Sequence, residues 1–135
     1  MFSLMSSPRF LRAVVWFDAL TGVLLGALHL LLTALLSDVL GLPPGLLQMS
    51  GVMLLGYAAL ATAIAWSEPM PRGWLWALIV GNFAWALASL VILLGSAMAP
   101  TLLGQVYLLV HVVSVALLAE LQWMGVRRGR GWAAA

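Results

Sequence analysis

The sequence has no cysteine and no lysine. The first absence excludes disulfides, thiolate nucleophiles and thiolate metal sites, and removes any redox signature of compartment. The second leaves six arginines as the whole basic complement. They are scattered and form no dense basic face, so a nucleic-acid partner is not expected. Charge of either sign is scarce, at 7% of residues, where a soluble domain carries roughly a quarter. A surface so poor in charge excludes a water-soluble globule. The alternating ten-residue pattern of a membrane β-barrel is missing. So are a phosphate loop, zinc-ligand spacings and a Ser-His-Asp set with a nucleophile elbow. With no catalytic constellation, the expectation is a non-enzymatic protein without a metal.

What is present is apolar: 64% of the 135 residues are hydrophobic. They fall into four runs, at about 13–36, 45–66, 74–94 and 101–125. Each has the roughly 20 residues with which a helix crosses about 30 Å of hydrocarbon. A helix satisfies its own backbone, as the bilayer demands. The breaks between runs carry turn chemistry: Ser37-Asp38 and 41–45, then 67–73, then 95–100, rich in glycine and proline. Such short loops join antiparallel neighbours. The predicted fold is all-α, a polytopic membrane four-helix bundle running up-down-up-down, as a single domain over 1–135. The first run follows arginines as a signal peptide would. It exceeds the about 7–15 residues of a signal core, however, and no small-x-small site follows, so it is expected to be retained.

Arginine sets the orientation. Arg9 and Arg12 precede the first run, Arg72 lies in the second loop, and Arg127, Arg128 and Arg130 follow the fourth run. An even number of crossings puts all six on one side, and the positive-inside rule makes that side the cytoplasm. Both termini are then cytoplasmic, in a bacterial inner membrane. Trp16, Trp66, Trp74, Trp76, Trp123 and Trp132 fall near the same interface, where an amphipathic ring settles. Only Trp85 is deep. Pro44-Gly45-Leu46-Leu47-Gln48 and Pro100-Thr101-Leu102-Leu103-Gly104-Gln105 open the second and fourth runs alike, which suggests two hairpins in parallel repeat.

The closing run Val115-Ala116-Leu117-Leu118-Ala119-Glu120-Leu121-Gln122-Trp123-Met124-Gly125-Val126-Arg127-Arg128 resembles the end of a family of uncharacterised small bacterial four-helix membrane proteins. Phe17-Asp18 and Gly81-Asn82-Phe83-Ala84-Trp85 extend the resemblance to most of the chain. It implies the same fold and brings no activity with it.

Ionisable groups in hydrocarbon are costly and mark candidate sites. Asp18, His29, His111 and Glu120 qualify; Asp38 and Glu68 read as solvated loop residues. Asp18 and His29 are eleven residues apart, about 1,100° at 100° per residue, and so share a face. Thr21, Gly22 and Leu25 lie between them, with Thr33 beyond and Gly26 adding a close-packing position. Asp18 reads first as a packing group paired with Arg12 or a neighbouring helix, second as a proton or substrate site, and third as a contact for a partner. In the last run Tyr107, His111, Ser114, Leu118 and Gln122 share one face. Glu120 points away from it, toward an interfacial ion pair with Arg127 or Arg128, or toward self-association. His29 and His111 fall at similar depth on facing helices. They suit a neutral polar layer with Tyr107, Thr33 or Ser114 better than b-type haem, which histidine pairs can ligate, and no cofactor is expected. The middle runs offer two stripes: Gln48, Gly51, Leu55, Ala59, Thr62 and Trp66, then Asn82, Trp85, Ala86, Ser89 and Leu93. Asn82 is the strongest glue among them, since an amide must satisfy donors and acceptors together.

Three functions follow in order. The first is a helical module holding a lipid or quinone-like ligand, or a partner subunit, between its helices. The second is an oligomeric proton-coupled transporter using Asp18. The third is a haem protein using His29 and His111. The candidate ligand or interhelical site is thus Asp18, His29, Asn82, Tyr107 and His111, with Glu120 and Arg127 as an interfacial pair.

Overall fold

A computed structural model describes residues 7–129. Arg130 and Trp132, assigned above to topology, lie outside the described residues. Those residues form helices and no strand. Ser7 caps the first helix, its Oγ accepting from the Phe10 amide at 3.1 Å, and Pro8 takes the first helical position where no amide is needed. Helix α1 spans Pro8–Leu31 and α2 spans Thr33–Leu40. The expected single helix over 13–36 therefore starts earlier and breaks at Leu32 (φ −115°, ψ 29°). At the break the Thr33 hydroxyl turns back to the carbonyls of His29 (2.6 Å) and Leu30 (3.1 Å), and such back-bonding bends helices. Ser37 and Asp38, expected in a loop, belong to α2. Gly41, at φ 68°, ends it in the left-handed conformation that glycine adopts without steric cost.

Helices α3 (Pro44–Trp66), α4 (Arg72–Leu94) and α5 (Leu102–Arg128) follow. With α1 they make four helices long and apolar enough to cross a membrane. Their outer faces carry exposed Leu20, Leu24, Val52, Leu87, Val91, Leu109 and Leu117, the pattern of helices that meet lipid rather than water.

The closest pairs are α1 with α3 and α4 with α5; the pairs meet mainly through α1 and α5, whereas α3 and α4 touch little. The α1–α3 seam is tight because glycines face each other: a Cβ on Gly26 would sit 3.0 Å from the Gly51 carbonyl oxygen, and one on Gly51 3.1 Å from that of Gly26. One end of the bundle holds an apolar core of Leu11, Val15, Ala61, Ile64, Leu78 and Val126. The other end holds Leu40, Leu42, Leu47 and Leu108. There Thr101 caps α5 through the Gly104 amide and donates to the Val39 carbonyl at 2.7 Å, tying α5 to the end of α2.

Five arginines fall within the described residues, and two of them close helix ends. The Arg12 guanidinium donates to the Ala65 carbonyl of α3, and Arg72 donates to the Val126 carbonyl of α5 at 3.2 Å. These last-turn carbonyls have no partner within their own helix, and a cation beside them also complements the helix dipole.

Candidate ligand cavity

The bundle contains two polar layers. In the first, each long helix supplies one side chain. Asp18 of α1 accepts from Gln122 Nε2 of α5 at 2.6 Å and from Asn82 Nδ2 of α4 at 2.9 Å. Asn82 Nδ2 also donates to Gln122 Oε1 at 3.2 Å. Tyr57 of α3 has one hydroxyl proton and two acceptors, the Leu78 carbonyl at 2.7 Å and Asp18 Oδ2 at 3.4 Å, so its contact with Asp18 is the weaker. Asp18, Asn82 and Gln122 are 4%, 4% and 0% exposed, and burial at that level requires the partners just given. All three donors converge on Oδ2 of Asp18. Its Oδ1 accepts no hydrogen bond among the described residues and is not sealed off.

The second layer lies about 16 Å further along α1, eleven residues at 1.5 Å each. His29 Nδ1 is 2.8 Å from Ser50 Oγ, and His29 Nε2 meets the Tyr107 hydroxyl. Ser50 donates its own proton to the Leu47 carbonyl at 2.9 Å. Its oxygen therefore accepts from a protonated Nδ1, and Tyr107 donates to Nε2. Every proton then has an acceptor, with the imidazole neutral. His111 stands at the edge of this layer, its ring 4.7 Å from that of Tyr107 and 6.3 Å from that of His29 between centroids. Its ring makes no side-chain hydrogen bond across the bundle among the described residues.

Between the layers, where α3 and α4 part, lies a cavity of about 550 Å³. Asp18, Asn82 and Tyr57 line one end, and His29, Tyr107 and His111 the other. The wall between is apolar, with Leu25, Leu54, Trp85 and Val115. Exposed Met49 and Met53 of α3 and exposed Ala84 and Ala88 of α4 also line it, so it opens sideways through the outer surface of the bundle. The indole N–H of Trp85 is buried and has no acceptor among the described residues.

The structure thus brings Asp18 and Asn82 together, brings His29, Tyr107 and His111 together, and places both groups on one cavity. Several finer expectations need correction. Arg12 does not pair with Asp18. It lies 3.4 Å from Glu68, whose side chain is 83% exposed, a pair of little energetic weight. Glu120 is exposed, and its ion pair with Arg127 is not formed among the described residues. Two helical turns separate them, and the Arg127 guanidinium lies 5.2 Å over the ring of Trp123, one turn back. Thr33 serves the break in α1, and Ser114 is exposed, so neither joins the histidine layer. The buried residues of α3 are Leu47, Gly51, Ala58, Ala61, Ile64 and Ala65. Gln48, Ala59 and Trp66, expected inside, are exposed. That rotation hid Ser50 and Tyr57, and Gln122 stood on the right face without being singled out for the site. Among the described residues no three His, Asp or Glu side chains gather as a metal site would require.

Comparison with family models, curated proteins and solved structures finds no match to this chain.

Proposed function

We propose that this is a small non-enzymatic multi-pass protein of a bacterial inner membrane that binds a lipid-like or quinone-like amphiphile between α3 and α4. In this reading the four long helices cross up-down-up-down with both ends in the cytoplasm. The arginines closing α3 and α5 at one end of the bundle support that orientation under the positive-inside rule. The observation that carries the ligand reading is the cavity: about 550 Å³, within the roughly 300–1,000 Å³ of ligand pockets, apolar along its length with a few convergent polar groups. Its side mouth faces the level at which acyl chains would lie. A molecule could enter from the bilayer without crossing water.

Native mass spectrometry of the purified protein tests this. The wild type should carry a bound amphiphile. Ala88→Phe, which puts an aromatic ring at the mouth, should lose it without unfolding. A protein that carries none, or an Ala88→Phe variant that retains it, would sink the reading. The uncommitted Oδ1 of Asp18 is the observation that favours the second reading, a proton-coupled transporter. Gradient-driven uptake into vesicles that is abolished by Asp18→Asn would put that reading first.

A further inference from the structure

The polar layers constrain the head group of the ligand, because each free atom demands a particular complement. At Asp18 the free atom is an acceptor. Three neutral donors crowd Oδ2, and Oδ1 has none. Neutral amides and a phenol solvate the carboxylate without cancelling its charge. A buried carboxylate without an opposite charge is costly, and the cost is relieved either by a proton or by a cation. None of the described arginines lines the cavity, and the sequence has no lysine. Arg12, the nearest candidate along α1, is committed to Ala65 and Glu68. Among the described residues no cation reaches Asp18, so a cationic ligand is the partner that would relieve its charge by pairing rather than by protonation.

We propose, building on the cavity reading above, that the occupant is a long-chain amine. Its protonated, hydrogen-donating head sits on Asp18 Oδ1, and its chain runs along the apolar wall toward His111. Competing heads fit less well. A carboxylate would face Asp18 with no cation between them. A phosphate-bearing lipid would bring negative charge into a cavity without arginine. A quinone carbonyl is an acceptor and offers an ionised Oδ1 nothing. The about 16 Å between the layers leaves room for the chain behind the head.

The test is equilibrium binding in phosphatidylcholine nanodiscs, with the heat of empty discs subtracted. The probes are four ligands of one chain length: dodecylamine, dodecyltrimethylammonium, dodecanol and dodecanoate. Dodecylamine should bind saturably, with a preference over dodecanol on the order of tenfold or more. Dodecanoate should not bind. Dodecyltrimethylammonium should fall below the amine, since it carries the charge but no N–H. Asp18→Asn should retain the alcohol and lose the preference for the amine. Equal binding of amine and alcohol by the wild type, equal binding of the two cations, or an amine preference that survives in Asp18→Asn would each overturn the assignment of the head group. Absence of binding by all four would instead remove the cavity reading beneath it. Should Asp18→Asn fail to assemble, the wild-type series decides alone.

Discussion

The two polar layers are built from the same kinds of neutral donor, yet they do opposite things to the bundle. In the Asp18 layer all four long helices contribute, and Tyr57 bridges α3 directly to α4 through the Leu78 carbonyl. In the histidine layer the hydrogen-bonded side chains come from α1, α3 and α5 alone. There α4 offers no partner, and the cavity lies between this layer and the Asp18 layer, where α3 and α4 touch little. Lipid chains solvate apolar side chains as well as other helices do, so helices in a membrane associate through close packing and shared polar groups. A helix without either at a given depth is free to part from its neighbour. The layers differ in charge as well. The histidine layer satisfies its protons internally and is neutral, whereas the Asp18 layer leaves an acceptor unmet.

That contrast breaks most readily at Gln122, which is fully buried and makes the shortest contact with Asp18. Gln122→Leu removes the 2.6 Å donor and leaves Asn82 without its second acceptor. Hydrogen bonds to charged groups contribute about 1.5–3 kcal/mol, so a loss of about 2 kcal/mol is expected in reversible unfolding by SDS from mixed micelles. A loss below about 0.5 kcal/mol would mean that the layer does not hold the helices together. In the neutral layer the corresponding change is Tyr107→Phe, which keeps the ring and removes the donor to His29 Nε2. Interhelical hydrogen bonds between neutral groups in membranes average about 0.6 kcal/mol, and about that loss is expected in the same assay. A cost equal to that of Gln122→Leu would erase the distinction between the layers.

Much of this arrangement was legible in the sequence, and what was not has physical reasons. The fixed 100° step of a helix put Asp18, Gly22, Gly26 and His29 on one face, and all four are buried. Asn82, Ala86 and Ser89 of α4 are buried as their spacing predicted. In α3 the buried stripe is rotated by about one residue from the predicted one. That helix is apolar nearly all round, with a few small and polar residues on every side, so nothing in its pattern selects a face. Ser50 and Tyr57 fall outside the predicted stripe for the same reason. The break at Leu32 carries no proline or glycine; it coincides with Thr33 bonding back to two carbonyls, which periodicity does not register. Arg12 meets Ala65 and Glu68 rather than Asp18 because a guanidinium at a helix start can reach the end of a neighbouring helix, and only packing says which.

His111 sharpens the comparison with the smallest expected effect. It is 8% exposed and packs near the rings of His29 and Tyr107, yet it makes no hydrogen bond to another helix among the described residues. His111→Phe preserves a flat ring at that position and adds apolar volume beside Val115 and Leu118, which line the same cavity. No interhelical hydrogen bond is lost, and the His29–Ser50–Tyr107 chain remains complete. Stability in the SDS assay should therefore move by less than about 0.5 kcal/mol, well below the change expected for Tyr107→Phe if measured side by side. Dodecylamine binding should persist as well, because the amine head sits about 16 Å away at Asp18. A loss of stability on the scale of Gln122→Leu would show that His111 bonds across the bundle. The histidine layer would then be a four-membered network, and its opening toward the cavity would need another explanation.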